Sequence, residues 1–266
     1  ACGTGRGVVR PGPRPRGGEG RHTAMSAAGA QHLVFLVAKM PAPGRSKTRL
    51  VPELGLAGAA EVAEAMLGDV LGVLSTLASD SSVVLYFAPG SEAHRAEEFL
   101  RRASLAKAHA VPMPRLEDLN SSNLGGLLAH ALELPRPPGT RTVTFVGMDT
   151  PELTAEAVLE AQEAALRGDA FMCPASDGGY VLLSVPATAP PAIFAGVEWS
   201  SPSTAASQAE AVASAGLTLR AGRCFHDVDD ADDARGLLAR EAPGARRTRA
   251  AVRRCLDERA RARRAA

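Results

Sequence analysis

The sequence is poor in aromatic residues, which make up only 4% of its 266 positions. A hydrophobic core must therefore be built from Leu, Val, Ala and Met. Cysteine is scarce as well: Cys2, Cys173, Cys224 and Cys255 show neither CxxC spacing nor a paired pattern. That argues against a disulfide framework and reads as reduced thiols in a cytoplasmic protein. No apolar run approaches the ~18–20 residues needed to span a bilayer. Formal net charge is only +1, so no global field steers the chain to nucleic acid or membrane. There is no internal repeat. What remains, 45% hydrophobic and 22% charged residues, is ordinary globular material, enough for one large core and short for two.

Residues 1–24 are rich in Gly, Pro and Arg, with Glu19 the single acid. Such a segment cannot bury enough apolar area to order itself. The chain begins at Ala1, and Met25 is a candidate start, with the upstream stretch as read-through or artefact. An organelle transit peptide is the rival reading, since those are Arg-rich and acid-poor, and a missing h-region argues against a secretory signal. The expected division is a disordered or non-native segment over 1–30, one folded domain over 31–240, and a basic tail over 241–266. The tail is dominated by arginine and reads as a solvated arm.

Between these ends, strand and helix patterns alternate. His32 to Ala38 is a short apolar run that reads as a buried first strand. A helix follows from about Ala57 to Leu77, with Val62, Met66, Val70 and Leu74 at every fourth position and Leu67 and Leu71 widening the stripe. Further strands are expected at 82–87, 109–113, 142–148, 170–174, 180–185 and 217–220, and helices at 92–102, 124–134, 154–166, 203–215 and 230–240. Thr154 is a suitable N-cap and Gly168 a suitable stop. This order predicts an α/β fold with a mainly parallel sheet covered on both faces.

Ligands of open α/β sheets bind at the carboxyl ends of strands. The loop leaving the first strand holds Lys39, Lys47 and Arg49, the hydroxyls of Ser46 and Thr48, and Pro41, Pro43 and Gly44. Phosphate oxygens need cationic donors and backbone N–H groups, and this loop offers both on a proline-stiffened frame. The bland alternative is a solvated basic loop. A Walker P-loop with Lys47 as its lysine would need glycines where Pro41 and Ser46 stand, so a P-loop kinase is disfavoured.

Asp149, in Gly147-Met148-Asp149-Thr150-Pro151, closes the clearest central strand. A carboxylate there beside phosphate suits Mg2+, which takes one or two carboxylates, waters and substrate phosphate. The alternative is an N-cap by Asp149 or Thr150 with Pro151 at the first helical position. Asp177-Gly178-Gly179-Tyr180 allows close backbone approach to a ligand, or is simply a turn. In His226-Asp227-Val228-Asp229-Asp230 an extended segment places Asp227 and Asp229 on one side, which suits a second metal carboxylate. The same acids would also favour the next helix's dipole. Trp199 is the single tryptophan; it packs an acceptor or a base, or is buried in the core.

Taken in order, Lys39-x-Pro41-x-Pro43-Gly44-x-x-Lys47-Thr48-Arg49-Leu50, Gly147-x-Asp149-x-Pro151-x-Leu153, Asp177-Gly178-Gly179-Tyr180, Trp199-Ser200 and Asp227-Val228-Asp229 resemble the radical-SAM/selenodomain-associated transferase 1 family. This DUF2064-type group carries a glycosyltransferase label within the nucleotide-diphospho-sugar transferases. The chain is also distantly similar to the phospholactate guanylyltransferases. The resemblance covers roughly residues 32–240 and implies a GT-A, Rossmann-like three-layer α/β/α fold. It implies Asp149 as a metal-binding acid, Asp229 or Asp227 as a second, and Asp177, Gly178, Gly179, Tyr180 and Trp199 on the acceptor side. Many relatives have an Asp-Leu-Gly-Glu-Arg type segment before the central strand. Here Asn123-Leu124-Gly125-Gly126-Leu127 stands instead, with an amide in place of the acid and a leucine in place of the arginine, a departure that bears on substrate choice.

The expectation is a Mg2+- or Mn2+-dependent glycosyl- or nucleotidyltransferase, using a nucleotide or nucleotide-sugar donor and a small-molecule acceptor. Lys47, Asp149 and Asp177 are its candidate catalytic residues. A nucleotide-binding module without turnover is the alternative. All of it requires Lys47 and Asp149, far apart in sequence, to meet across one cleft.

Overall fold

A computed structural model describes residues 30–105, 108–240 and 244–265. The readings made for residues 1–24, including Cys2 and the candidate start at Met25, lie outside the described residues.

Seven strands form one sheet in the order β3-β2-β1-β4-β6-β5-β7. They are β1 (His32–Lys39), β2 (Ser81–Ala88), β3 (Ala108–Pro112), β4 (Thr142–Gly147), β5 (Ala170–Pro174), β6 (Tyr180–Pro186) and β7 (Leu219–Ala221). β1 pairs in parallel with both β2 and β4, and β5 with β7, while β6 runs antiparallel between β4 and β5. The sheet is therefore mainly parallel with one reversed strand. After β1 the chain builds outward on one side through β2 and β3, then returns to add β4 on the other. That switch opens a crevice at the carboxyl ends of β1 and β4.

Alternation along the strands feeds two cores. Val34, Leu36 and Ala38 of β1 pack with α1 (Val51–Leu74), α2 (Ala93–Arg102) and α4 (Ala155–Leu166). Leu33 and Phe35 face α3 (Leu124–Glu133) and α5 (Thr204–Ser214) on the opposite side. This is the expected three-layer α/β/α arrangement. With few aromatics available, Phe35, Phe145 and Tyr86 cluster: Phe35 stacks on Phe145 at 5.5 Å and meets the Tyr86 edge at 6.0 Å. Thr154 caps α4 by accepting from the Ala157 N–H, as its position predicts.

The basic tail differs from its reading. Arg246–Ala265 is a helix, α7, lying along α1 with α6 (Ala231–Ala239) beside it. Ala251, Val252 and Cys255 of α7 close a third core over Leu54, Val62 and Met66 of α1. The wide stripe on α1 thus has two partners: Leu67, Val70, Leu71 and Leu74 face the sheet, and Val62 and Met66 face α7. Arginine dominates α7 because its outer face is solvated, with Arg254 paired to Glu61 and Arg263 to Glu53. Arg249 donates to the carbonyls of Leu237, Leu238 and Arg240, satisfying the end of α6.

Asp69 of α1, 6% exposed, fixes where α7 begins. Its carboxylate accepts from the Arg247 N–H at 3.0 Å, the Thr248 N–H at 2.8 Å and the Thr248 hydroxyl at 2.8 Å. It acts as an N-cap supplied by another helix. Asp69→Ala is expected to lower stability by about 2 kcal/mol, the range for orphaned buried donors and a lost cap. The melting temperature should fall by roughly 4–8 °C in thermal denaturation. Asp69→Asn, which retains an acceptor oxygen, should lose less.

Candidate functional site

The lysine-rich loop, Asp149, the Asp177–Tyr180 turn, Trp199 and the 227–229 segment each send residues to the end of the sheet where β1, β4 and β5 finish and β6 begins. A cleft of about 1040 Å³ opens there, large enough for a nucleotide-sized ligand. Its first wall is the loop after β1. Prolines and a short 3-10 turn at Thr48–Leu50 give this loop its shape. The Ser46 hydroxyl accepts from the Ala42 N–H at 3.0 Å, and Arg95 donates to the Pro41 carbonyl at 2.8 Å.

Lys47 follows in a left-handed conformation, φ 44° and ψ 51°. That region is unfavourable for a residue with a β-carbon. The backbone aims the side chain inward, where only 11% of it is exposed. Its ammonium donates to Asp149 Oδ2 at 3.1 Å and Asp229 Oδ1 at 2.5 Å. The required meeting of Lys47 and Asp149 is therefore a direct ion pair between the ends of β1 and β4, with Asp229 as a third member. Burial by itself would lower the Lys47 pKa, but the two carboxylates overcome it and hold the ammonium above its ordinary value. Burial would likewise raise Asp149, yet Lys47's charge and hydrogen bond keep it below the usual carboxylate range.

The second wall is built by backbone. The Val228 N–H donates to the Asp149 carbonyl at 3.1 Å, and Phe225 bridges to Ala175 beyond the end of β5. The segment 225–229 is thus held extended, with Val228 buried and Asp227 and Asp229 turned to the cleft. Asp149 does not cap a helix, since α4 starts at Ala155 with Thr154 as its cap. Nor does Asp229 cap α6. Asp230 accepts from the N–H groups of Asp232 and Asp233, and Asp233 from those of Asp229 and Asp230. This reciprocal capping box leaves the Asp229 carboxylate for Lys47. A β-carbon at Gly147 would lie 3.0 Å from Asp149 Oδ1, tight enough that the carboxylate would have to shift by a few tenths of an ångström.

The structure distributes the other sequence-predicted residues unevenly. Lys39, Thr48, Arg49, Asp177, Gly179, Tyr180 and Trp199 line the cleft. Arg49 is 75% exposed, with Nη1 at 3.8 Å from Asp229 Oδ2. Pro43 and Gly44 do not line it; Gly44, at φ 74°, forms the outer turn that returns the loop toward Lys47. Gly178 is also outside the lining. Its role is contact, because a β-carbon there would meet the Pro202 carbonyl oxygen at 2.1 Å. Asp177 is partly spent on its own turn, accepting from the Gly179 N–H at 2.8 Å. Tyr180 sends its hydroxyl to Gln208 at 3.0 Å and presents its ring beside Trp199, centroids 6.2 Å apart. Trp199 is half-buried, so it is both a packed ring and part of the wall.

Asp227 does not join Asp149 and Asp229 around one point. Among the described residues no group of three or more His, Cys, Asp or Glu side chains is placed to hold a metal ion. Of the two candidates for a second acid beside Asp149, it is Asp229 that shares the position of one Lys47 nitrogen with it. Asn123 and Leu124, from the segment that departs from the family pattern, line the cleft as well. Sequence reasoning missed Arg45 and Pro202. Arg45 lies in the same loop and its charge was visible; the contribution of Pro202 depends on how α5 docks.

Asp227 carries a pH signature. Burial, then the charges of Asp177, Asp229 and Asp149, push its pKa up to about 6. A carboxyl raised in the fold favours the folded state below its unfolded pKa of 3.8, and that contribution disappears as pH rises through about 6. Asp227→Asn should therefore raise the melting temperature at pH 7.5, by roughly 2–4 °C for each ~1 kcal/mol relieved. The gain should shrink toward zero at pH 4 in parallel melts; an equal gain at both pH values would contradict this reading.

Comparison with known proteins came to the same fold. Residues 74–201 match the family described as "Uncharacterized protein conserved in bacteria (DUF2064)". No curated protein matches the sequence. A protein from Desulfovibrio desulfuricans G20, described as a candidate nucleotide-diphospho-sugar transferase, superposes with a TM-score of 0.70 at 24% identity, over 85% of this chain and 98% of its own. The 4-diphosphocytidyl-2C-methyl-D-erythritol synthase of Anaerococcus prevotii DSM 20548 gives 0.52 at 12% identity, over 80% and 97%. A nucleotidyl transferase of Methanothermobacter thermautotroptrophicus gives 0.50 at 14%, over 82% and 99%. The chain thus carries the DUF2064 pattern over residues 74–201, on the α/β fold of the nucleotide-diphospho-sugar transferases.

Proposed function

We propose that the protein is a transferase acting on a nucleotide-activated donor, and that its chemistry is nucleotidyl transfer to a small-molecule acceptor. The observation that carries this is the Lys47 bridge to Asp149 and Asp229 at the switch point of the sheet. It joins a cationic loop to a carboxylate pair in one cleft, the combination that a polyphosphate and a divalent ion require. The similarity in fold to nucleotidyl transferases supports the same class.

Four cations at the end of β1 and in the loop after it, Lys39, Arg45, Lys47 and Arg49, line the cleft. That number suits a triphosphate better than a diphosphate, which favours nucleotidyl over glycosyl transfer. In this reading the loop holds the β- and γ-phosphates while an acceptor oxygen attacks the α-phosphorus and pyrophosphate leaves. Fixed cations aimed at the leaving group stabilise the charge that develops on it without reorganising. Asp177, Tyr180 and Trp199 form the wall on which the acceptor would be oriented.

Asp149 and Asp229 fit Mg2+ or Mn2+ as a partial site. Two carboxylates that reach one point leave the remaining positions to water and phosphate oxygens, which is how Mg2+ is commonly bound. Bound there, the ion would neutralise phosphate charge and polarise a phosphoryl oxygen. No nucleic acid or membrane enters the reading; among the described residues no helix is long and apolar enough to cross a membrane.

The test is a thermal-shift panel of nucleoside triphosphates and nucleotide sugars, with and without Mg2+, followed by assay of pyrophosphate and nucleoside diphosphate release. A triphosphate is expected to stabilise the protein in the presence of Mg2+ and to yield pyrophosphate with the correct acceptor. Asp149→Asn should abolish the Mg2+-dependent part of that shift while keeping the fold. Stabilisation by nucleotide sugars alone, with nucleoside diphosphate as product, would reverse the choice of chemistry. No response to any nucleotide would remove the function.

A further inference from the structure

Lys47 is not placed where a residue dedicated to phosphate would wait. We infer that it is the resident counter-cation of the Asp149–Asp229 pair, that it keeps divalent ions off those carboxylates, and that a polyphosphate releases it. The metal half stands on geometry alone; the release half rests on the phosphate-binding reading above.

Three observations carry it. Lys47 Nζ lies within hydrogen-bond distance of both carboxylates, at 3.1 and 2.5 Å, so it holds the point that both can reach. Its side chain is 11% exposed while Asp149 and Asp229 are 44% and 38% exposed. The ammonium is therefore the covered partner, and the carboxylates are open to the cleft. The left-handed backbone at Lys47 fixes the direction of the side chain from its root. Arg49 cannot substitute for it: at 3.8 Å from Asp229 and 75% exposed, it is a peripheral charge.

The consequence is electrostatic. An ion touching Asp149 and Asp229 would sit within ~4 Å of an ammonium still bound to them, where two cations repel strongly even at an effective dielectric of ~20. Among the described residues no third carboxylate joins the pair at that point, so the ammonium meets much of the charge the pair could offer an ion while Lys47 stays. A triphosphate changes the balance in two ways. It offers the ammonium a new anion within reach of a flexible four-carbon stem, and it brings oxygen ligands of its own to the ion. Metal and polyphosphate should then bind with positive coupling, each raising the affinity of the other by the same factor. The arrangement would prevent the site from holding a metal idly and would make the metal–nucleotide complex the species it accepts.

The experiment titrates the full chain with Mg2+ alone, with a triphosphate in chelator, and with both, by calorimetry and thermal shift. Wild type, Lys47→Met and Lys47→Gln are compared, the second variant covering a folding failure of the first. For the wild type, millimolar Mg2+ alone should give no shift, and Mg2+ with triphosphate more than the sum of the separate shifts. Lys47→Met should gain affinity for Mg2+ alone by about tenfold or more, the order expected from removing a unit positive charge ~4 Å from the ion. Its metal–triphosphate coupling should fall below that of the wild type, leaving only what the triphosphate's own oxygen ligands contribute, and adding Asp149→Asn should erase the gained Mg2+ affinity. Equal binding of Mg2+ alone by wild type and both variants would overturn the inference, whatever nucleotides do. A gain in Mg2+ binding on removing Lys47, in a protein that responds to no nucleotide, would support the counter-cation while removing the proposed function.

Discussion

One ammonium shared between two carboxylates organises the functional end of this molecule. Lys47, Asp149 and Asp229 come from three loops far apart in the chain. Among the described residues no backbone hydrogen bond joins the Lys47 loop directly to the other two. The β1–β4 ladder brings the roots of the Lys47 and Asp149 loops together, and the ion pairs make the direct link across the cleft. Two carboxylates at this distance would repel without a cation, and a lysine this covered would be costly without anions. Each partner makes the others tolerable, and the local backbone is shaped to suit. Lys47 occupies a left-handed position, Gly147 leaves room for the Asp149 carboxylate, and Val228 is tied to the Asp149 carbonyl.

Much of the fold was legible because strand and helix patterns here are strong and local. Short apolar runs bounded by turn residues mark β1, β2 and β4, and the four-residue stripe marks α1. The alternating order then implied a mainly parallel sheet, and the rule that ligands gather at strand carboxyl ends located the cleft. Asp227 and Asp229 could be placed on one side of an extended segment from period-two geometry alone. What periodicity cannot express is distance between loops. That Asp229 reaches Lys47 and Asp227 does not is a tertiary fact. So is the outward position of Pro43 and Gly44, whose motif spacing suggested ligand contact and whose observed work is to turn the chain.

The arginine-rich end shows how composition can outweigh pattern. Nine arginines between 246 and 264 read as a solvated arm, yet Ala251, Val252, Cys255 and Leu256 recur at i, i+1, i+4 and i+5 among them. That is a narrow apolar seam, and α7 uses it to cover α1. The second clue lay in α1 itself. Its stripe was wider than one sheet face needs, and Val62 and Met66 required a partner. Asp69 was the least visible element, an acid within a helical stripe whose purpose depends on Arg247 and Thr248 arriving beside it.

The crowded acids of 227–233 finally show how a sequence can separate structure from chemistry within a few residues. Five aspartates lie in this segment, and a helix N-terminus could have claimed any of them. Asp230 and Asp233 cap α6 reciprocally, Asp232 pairs with Arg235, and Asp229 contributes only its N–H to the cap. Its carboxylate consequently stays free to meet Lys47. Asp227, two residues earlier, shares the cleft without a cation of its own and bears the repulsion of its neighbours. A segment built only to start a helix would gain nothing from that strained carboxyl.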